Sequence, residues 1–289
     1  MKTERIQKVI ARTGVASRRE AEQMVIDGRV QVNGEVIYRP GHPVNPHEDL
    51  IKVDDKPLPP PEERVYLLLN KPRGYVTTRH DPEERKTVIE LVEDLRVRVE
   101  PVGRLDMNTS GALLMTNDGD LAHALTHPST EAPKRYLVKV WKTPSDKTLN
   151  RIRRGVTLED GRTAPCKLRV IDQTDSENAW IEITVTEGRN RLIRRIFEKV
   201  GHPVSKLRRE SFATISIRGM EPGQLRPLTG PEIQRLHEIV DGCDPAEAGH
   251  GSRYKKGYAR PKPKRKGTPL SKKRASARQK HGRREKRKG

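Results

Sequence analysis

The chain has 289 residues, of which 59 are Lys or Arg and 39 Asp or Glu, giving a formal net charge of +20. That length suggests two domains, and the charge points to polyanionic partners, with nucleic acid ahead of an acidic membrane surface. No run of about 18 apolar residues can span a bilayer, the N-terminus lacks the apolar core of a secretion signal, and two cysteines (Cys166, Cys243) make neither a disulfide framework nor a zinc site. A reducing cytoplasm is the expected compartment.

Ile6, Val9 and Ile10 recur at helical spacing and predict a short helix ended by Gly14. Ser17 and Glu20 form a capping-box pair for a second helix from about Arg18 to Asp27, which buries Ala21, Met24 and Val25 and stops at Gly28. Arg29 to Val32 alternates as a strand, and Asn33-Gly34 turns it back through Glu35-Val36-Ile37. This packing leaves Lys8, Arg12, Arg18, Arg19 and Arg29 outside, as a solvated charged face or as an RNA-facing set. The proline-rich run from Asp54 to Arg64 continues neither a helix nor a central strand, so it reads as a linker.

Val65 to Leu69 predicts a buried strand, followed by a turn through Asn70-Lys71-Pro72-Arg73-Gly74. Further on, Asp106 sits between Gly103 and Gly111, ahead of the apolar run Ala112 to Met115. The glycines allow sharp turns and the strand behind gives rigid support, which would present the carboxylate, although from these residues alone a surface-loop aspartate is the better reading. His123 and His127 have zinc-compatible spacing but no third ligand follows. Lys134 to Val140 alternates, with Tyr136, Val138 and Val140 on one face. Ile193, Ile196, Phe197 and Val200 form the apolar stripe of a helix. Arg194 lies about 100° from Ile193 at the edge of that stripe, able to reach inward, while Arg191 and Arg195 point away from the core. Residues 241–289 hold 18 Lys and Arg against 4 Asp and Glu, with few aliphatic residues, and predict a disordered basic tail. No phosphate-cradling or dinucleotide glycine motif occurs.

The segment GRLDMNTSGALLMTNDG resembles the active-site motif of the bacterial ribosomal RNA pseudouridine synthases. LNKPRGYVTT, KRYLVKV, EGRNRLIRRIF and VSKLRR resemble further motifs of that family, and SRREAEQMVIDGRVQVNG resembles the S4 RNA-binding domain. The resemblance implies an α+β protein: an S4-like domain over 1–53, a linker over 54–64, a catalytic domain with a mixed, mainly antiparallel sheet over 65–240, and the tail over 241–289. It implies isomerisation of uridine to pseudouridine with no cofactor and no metal, in ribosomal RNA of the large subunit (23S). The alternatives are small-subunit (16S) RNA, a non-catalytic RNA-binding assembly factor, or a nuclease or glycosidase.

The same resemblance makes Asp106 the nucleophile at ribose C1′ or the base at C2′. Tyr136 becomes the residue that stacks on the base and a candidate for the later proton abstraction, and Arg194 the partner of Asp106. Leu207 and Arg104 support the site. Lys8, Arg12, Arg18, Arg19, Arg29, Lys71, Arg73, Arg191 and Arg195 are then expected to face RNA. The expected partners are a structured stem-loop with a flipped-out uridine and precursors of the ribosomal subunits, bound by a monomer away from membranes. With Asp106 expected to be buried, loss of Arg194 would leave an unpaired charge at a cost of about 3–5 kcal/mol.

Overall fold

The computed structural model describes residues 3–173 and 178–242. The tail expected over 241–289 therefore lies, from residue 243 onward, outside the described residues. Near the N-terminus, helices α1 (Ile6–Arg12) and α2 (Arg18–Ile26) pack their apolar faces together. Ser17 and Glu20 cap α2 reciprocally: the Glu20 N–H donates to Ser17 Oγ at 3.2 Å and the Ser17 N–H to Glu20 Oε2 at 2.6 Å. Ala21 and Val25 enter the core as expected, whereas Met24 only covers its edge. Strands β1 (Val30–Val32), β2 (Glu35–Val36), β3 (Ile51–Val53) and β4 (Lys56–Pro57) form an antiparallel sheet in the order β2-β1-β3-β4. Asn33 and Gly34, with φ of 53° and 90°, make the two-residue turn between β1 and β2.

The linker starts later than expected. Asp54 and Asp55, at φ of 49° and 62°, turn the chain so that Lys56 pairs with Val53. Pro57 is tolerated because β4 is an edge strand, where a missing N–H costs no ladder bond. The module touches the following body directly: Lys8 lies 2.9 Å from Asp120, Arg98 lies 3.4 Å from Glu20, and the Glu62 N–H donates to Arg12 O at 3.1 Å.

The body is built on β5 (Tyr66–Lys71), β6 (Ser110–Thr116), β7 (Lys134–Val140), β8 (Lys167–Gln173), β9 (Ala179–Val185), β10 (Val204–Phe212) and β11 (Leu225–Pro227). These run in the order β8-β9-β7-β10-β6-β5-β11. Neighbours are antiparallel except β6 and β10, which are parallel, so the sheet is mixed and mainly antiparallel. Helices α3 (Gly119–Thr126) and α6 (Gly230–Val240) cover the β5–β6 side, while α4 (Asp146–Arg153) and α5 (Leu192–Lys199) cover the β7–β9 side. All six residues of β5 are buried. That strand is also longer than expected: Asn70 and Lys71 remain in the ladder opposite Ala112 and Gly111, and the turn begins only at Pro72. Asn70 is held by donation from its Nδ2 to Met220 O at 2.8 Å. No helix among the described residues is long and apolar enough to cross a membrane.

The parallel junction of β6 and β10 positions the site. Gly111 faces Arg209 there at φ of 113°, and a side chain at Gly111 would run into the Arg209 backbone. Only a glycine lets the two strands approach this closely. The loop before β6 is thereby held over the middle of the sheet.

Candidate active site

Asp106 stands on that loop, and its backbone is clamped from below. Lys71, with no exposed surface, donates through Nζ to Thr109 O at 3.0 Å, and to Asp106 O and Pro72 O at 3.2 Å each. The Thr109 N–H donates to Asp106 O at 2.9 Å, and Thr77 Oγ1 donates to Leu105 O at 2.8 Å while accepting from the Leu105 N–H at 3.2 Å. Burial pushes the Lys71 ammonium down to about 8, with Asp106 opposing that fall and Arg209 adding to it. Lys71 therefore leaves the RNA-facing set: strand β5 is buried on both faces, and the side chain is occupied by two carbonyls of the loop and that of Pro72.

The Asp106 carboxyl itself is 38% exposed, so it sits at the mouth of a cavity and not in a sealed core. Arg194, on α5, places Nε 4.0 Å from Asp106 Oδ2. It also donates from Nη2 to Asn108 O at 3.3 Å and from Nη1 to Val204 O at 3.4 Å, tying the loop to the start of β10. Burial draws the Arg194 guanidinium below its ordinary range, Asp106 opposes this, and Arg191 and Arg73 reinforce it. The inward reach expected for the arginine at the edge of the apolar stripe is observed, and Ile193, Ile196 and Phe197 are buried beneath it.

The cavity encloses about 170 Å³. Asp106, Tyr136 and Leu207 all line it, and Arg104 stands exposed at its edge. Tyr136 projects from β7 directly opposite Arg209 of β10, and Val138 stands opposite Leu207. Residues facing one another across an antiparallel pair share a face of the sheet. Lys134, Arg209 and Phe212, which the sequence did not bring forward, complete this wall. A signal for two of them was present: counting in steps of two from Tyr136 reaches Lys134, and from Leu207 reaches Arg209.

The remaining cations divide. Arg191 is not on the helix as the spacing suggested. It precedes α5 at φ of 47° and sits exposed at the cavity rim, because the helix begins only at Leu192. Arg195 points outward as expected but is held by both oxygens of Asp160, which also lies 3.1 Å from Arg189. Arg73 and Arg19 are exposed. Lys8, Arg12 and Arg29 are paired with Asp120, Glu4 and Asp54 at 2.9, 3.0 and 2.7 Å, and Arg18 lies 3.8 Å from Asp120. The His123 and His127 rings lie 5.8 Å apart between centroids and tilted by 40°, and no group of three metal-binding side chains occurs among the described residues.

Comparison with known proteins identifies the family. Residues 4–50 match the S4 domain and residues 65–199 the RNA pseudouridylate synthase family. A Bacillus subtilis protein named ribosomal large subunit pseudouridine synthase B is 44% identical over 82% of this chain and 97% of its own. An RNA pseudouridine synthase of Aquifex aeolicus is 43% identical over 82% of this chain and 94% of its own. A crystal structure of a pseudouridylate synthase superposes with a TM-score of 0.57 at 30% identity, over 80% of this chain and 99% of that one. The chain belongs to the RNA pseudouridylate synthase family and carries an S4 domain ahead of its synthase domain.

Proposed function

We propose that this protein isomerises a uridine of large-subunit ribosomal RNA to pseudouridine, with Asp106 acting on the ribose. The observation that carries the reading is the convergence of the Asp106 carboxyl and the Tyr136 ring on one cavity, with Arg194 4.0 Å behind the carboxyl. Similarity to the large-subunit synthase of Bacillus subtilis supports the choice of RNA. A non-catalytic RNA-binding role leaves this arrangement without a purpose.

The target uridine leaves its stack and enters the cavity, at a cost of a few kcal/mol that stacking on Tyr136 and phosphate contacts offset. Asp106 then either attacks C1′ or removes the C2′ proton. In both routes the C1′–N1 bond breaks and its electron pair passes to the base. The base turns and C5 bonds to C1′, as the Asp106–C1′ ester bond breaks in the first route or as the proton returns to C2′ in the second. The C5 proton is then lost, with Tyr136 as the proposed acceptor, and N1 gains a proton. Arg194 holds the loop and the carboxylate in position. Leu207 packs below the ring, Arg104 and Arg191 stand at the mouth for phosphate contact, and the exposed Arg73, whose charge is felt at Arg194, adds to them.

The N-terminal domain supplies shape-selective grip on a structured stem-loop, and the basic residues over 241–289 add sequence-independent affinity. We take the protein to act as a monomer in the cytoplasm, on precursors of the ribosomal subunit. Carbodiimide labelling with primer extension tests the reading. Asp106→Asn is expected to bind the RNA normally and form no pseudouridine, and an active Asp106→Asn enzyme would exclude Asp106 as the reacting group.

A further inference from the structure

Of the cations that line the cavity, Lys134 and Arg209 are the two that are not exposed and have no carboxylate of their own among the described residues. Lys134 donates through Nζ to Ala132 O and Thr186 O, both at 2.8 Å, and an ammonium has three N–H groups. Arg209 is 3% exposed and spends its Nε on Ala112 O at 2.7 Å, while its buried Nη2 has no hydrogen-bond partner among the described residues. Both cations lie over the ring of Phe212, the Lys134 Nζ at 5.5 Å and the Arg209 Cζ at 4.9 Å from its centroid. Neither is within ion-pair distance of an acidic side chain among the described residues. Of the two carboxylates that line the cavity, Asp106 is engaged by Arg194, and Glu187 is held by Arg189 at 2.8 Å and by the Ala164 N–H. Enclosing unpaired positive charge costs folding free energy, so a wall built this way is suited to an anion that arrives later.

The proposed reaction supplies one. When the C1′–N1 bond breaks, the pair of electrons stays with the uracil ring and is shared among N1, O2 and O4. An anion confined in a half-apolar cavity is costly unless preorganised donors meet it. Arg209 stands across the ladder from Tyr136, and Lys134 is two residues before Tyr136 on the same face. The stacking surface for the base and the two cations are thus one continuous patch.

We propose that Lys134, with Arg209 behind it, receives the negative charge of the detached uracil at a ring carbonyl oxygen. Lys134 makes the contact through its unused N–H, and Arg209 acts through its field. Burial and the nearby Arg209 draw the Lys134 ammonium down to about 8, which leaves it protonated at neutral pH. No proton need pass from Lys134. The ring takes the electron pair from C1′–N1 and returns a pair when C5 bonds to C1′. It then loses the C5 proton and gains one at N1, so the sum is an isomerisation. The inference rests on the reading that Asp106 opens the glycosidic bond.

The test uses single-turnover reactions on two RNAs, one with uridine and one with 5-fluorouridine at the target position. Loss of the intact target nucleoside is followed by nuclease digestion and chromatography. Fluorine withdraws electrons and stabilises the ring anion, so the second RNA depends less on the protein's cations. Lys134→Gln keeps a hydrogen-bond donor for the two carbonyls and removes the charge, and Lys134→Arg keeps the charge. The glutamine variant is expected to be slowed about 100-fold on uridine RNA, the range seen when one oxyanion donor is removed. On fluorouridine RNA it should be slowed about 10-fold or less, with RNA binding unchanged within about 3-fold. The arginine variant should stay within about 10-fold of wild type on both RNAs.

Equal slowing on the two RNAs, or a loss of binding with no loss of rate, would overturn the assignment, because either is what a purely structural lysine predicts. An arginine variant that binds RNA but is as slow as the glutamine variant would overturn it as well. Asp106→Asn on uridine RNA is measured alongside: if it is inactive, a failure of the lysine variants sinks only this inference, and if it is active, both fall.

Discussion

In the N-terminal module Arg29 lies 2.7 Å from Asp54 and Arg12 lies 3.0 Å from Glu4, all of them in contact with solvent. In the body Lys71 and Arg209 are enclosed, and with Lys134 they donate to backbone carbonyls. The Arg29–Asp54 pair, with both side chains about half exposed, is screened by water and costs little to open, so its cation can be traded for a phosphate, whereas the Arg12–Glu4 pair is partly buried. The enclosed cations have no such freedom, because water cannot replace a lost partner there. Exposed charge on the module is therefore available for binding, while charge in the body fixes a loop or waits for an anion.

This contrast makes the loop of Asp106 the place where a substitution should do most. Asp106→Asn is expected to reduce pseudouridine formation by at least about 10⁴-fold with RNA affinity within about 3-fold of wild type, as for an essential nucleophile or base. Rate and filter-binding measurements on the same RNA check it.

Lys71 comes next, through pH. Its folded value of about 8 lies below the ordinary 10.5, so between those limits the unfolded chain binds more protons and stability rises with pH. Below pH 8 the full charging penalty is present, and it disappears as pH approaches 10.5. Wild type should thus gain on the order of 3 kcal/mol relative to Lys71→Met across that window, read from urea unfolding at several pH values. A difference between the two proteins that does not change with pH would contradict the enclosure of this ammonium.

Arg194→Ala lies between the two regimes. The sequence suggested a penalty of about 3–5 kcal/mol for orphaning a buried Asp106. Because that carboxyl is 38% exposed, solvent takes over part of the lost interaction, and about 1 kcal/mol of stability is expected to go. Activity should fall far more, about 100-fold, since the loop loses its tie through Asn108. A stability loss as large as the first figure would mean that water does not reach Asp106 in solution. The smallest effect belongs to Asp120→Asn, which opens the contacts to Lys8 and Arg18. About 0.5 kcal/mol should be lost in thermal unfolding, and RNA affinity should hold or rise slightly as the two cations are freed.

Asp106 was legible through the resemblance of its whole motif, since a glycine at each side and four apolar residues behind it permit a presented carboxylate without requiring one. The capping box at Ser17 and Glu20 and the Asn33-Gly34 turn were legible because their signals are local. Arg194 was legible from a single helix turn. Lys71 was misread because a lysine in a run that ends at proline looks exposed, and only the position of β5 between two strands encloses it. Pro57 was assigned to the linker because its place at a sheet edge depends on β3, not on its neighbours in sequence. Arg209 was passed over although its alternation with Leu207 was visible.

Sequence alone, through spacing and turn chemistry, determined most of the helices and strands and which arginine of the last motif can reach inward, and through the resemblance of its motif it singled out the carboxylate. The tertiary structure decided which cations are spent in surface pairs, which are sealed under the loop and which are left facing the cavity. The reason is range: helix periods and turns are settled within a few residues, whereas Arg209 is brought to Ala112 across 97 positions by a parallel strand contact that only Gly111 permits.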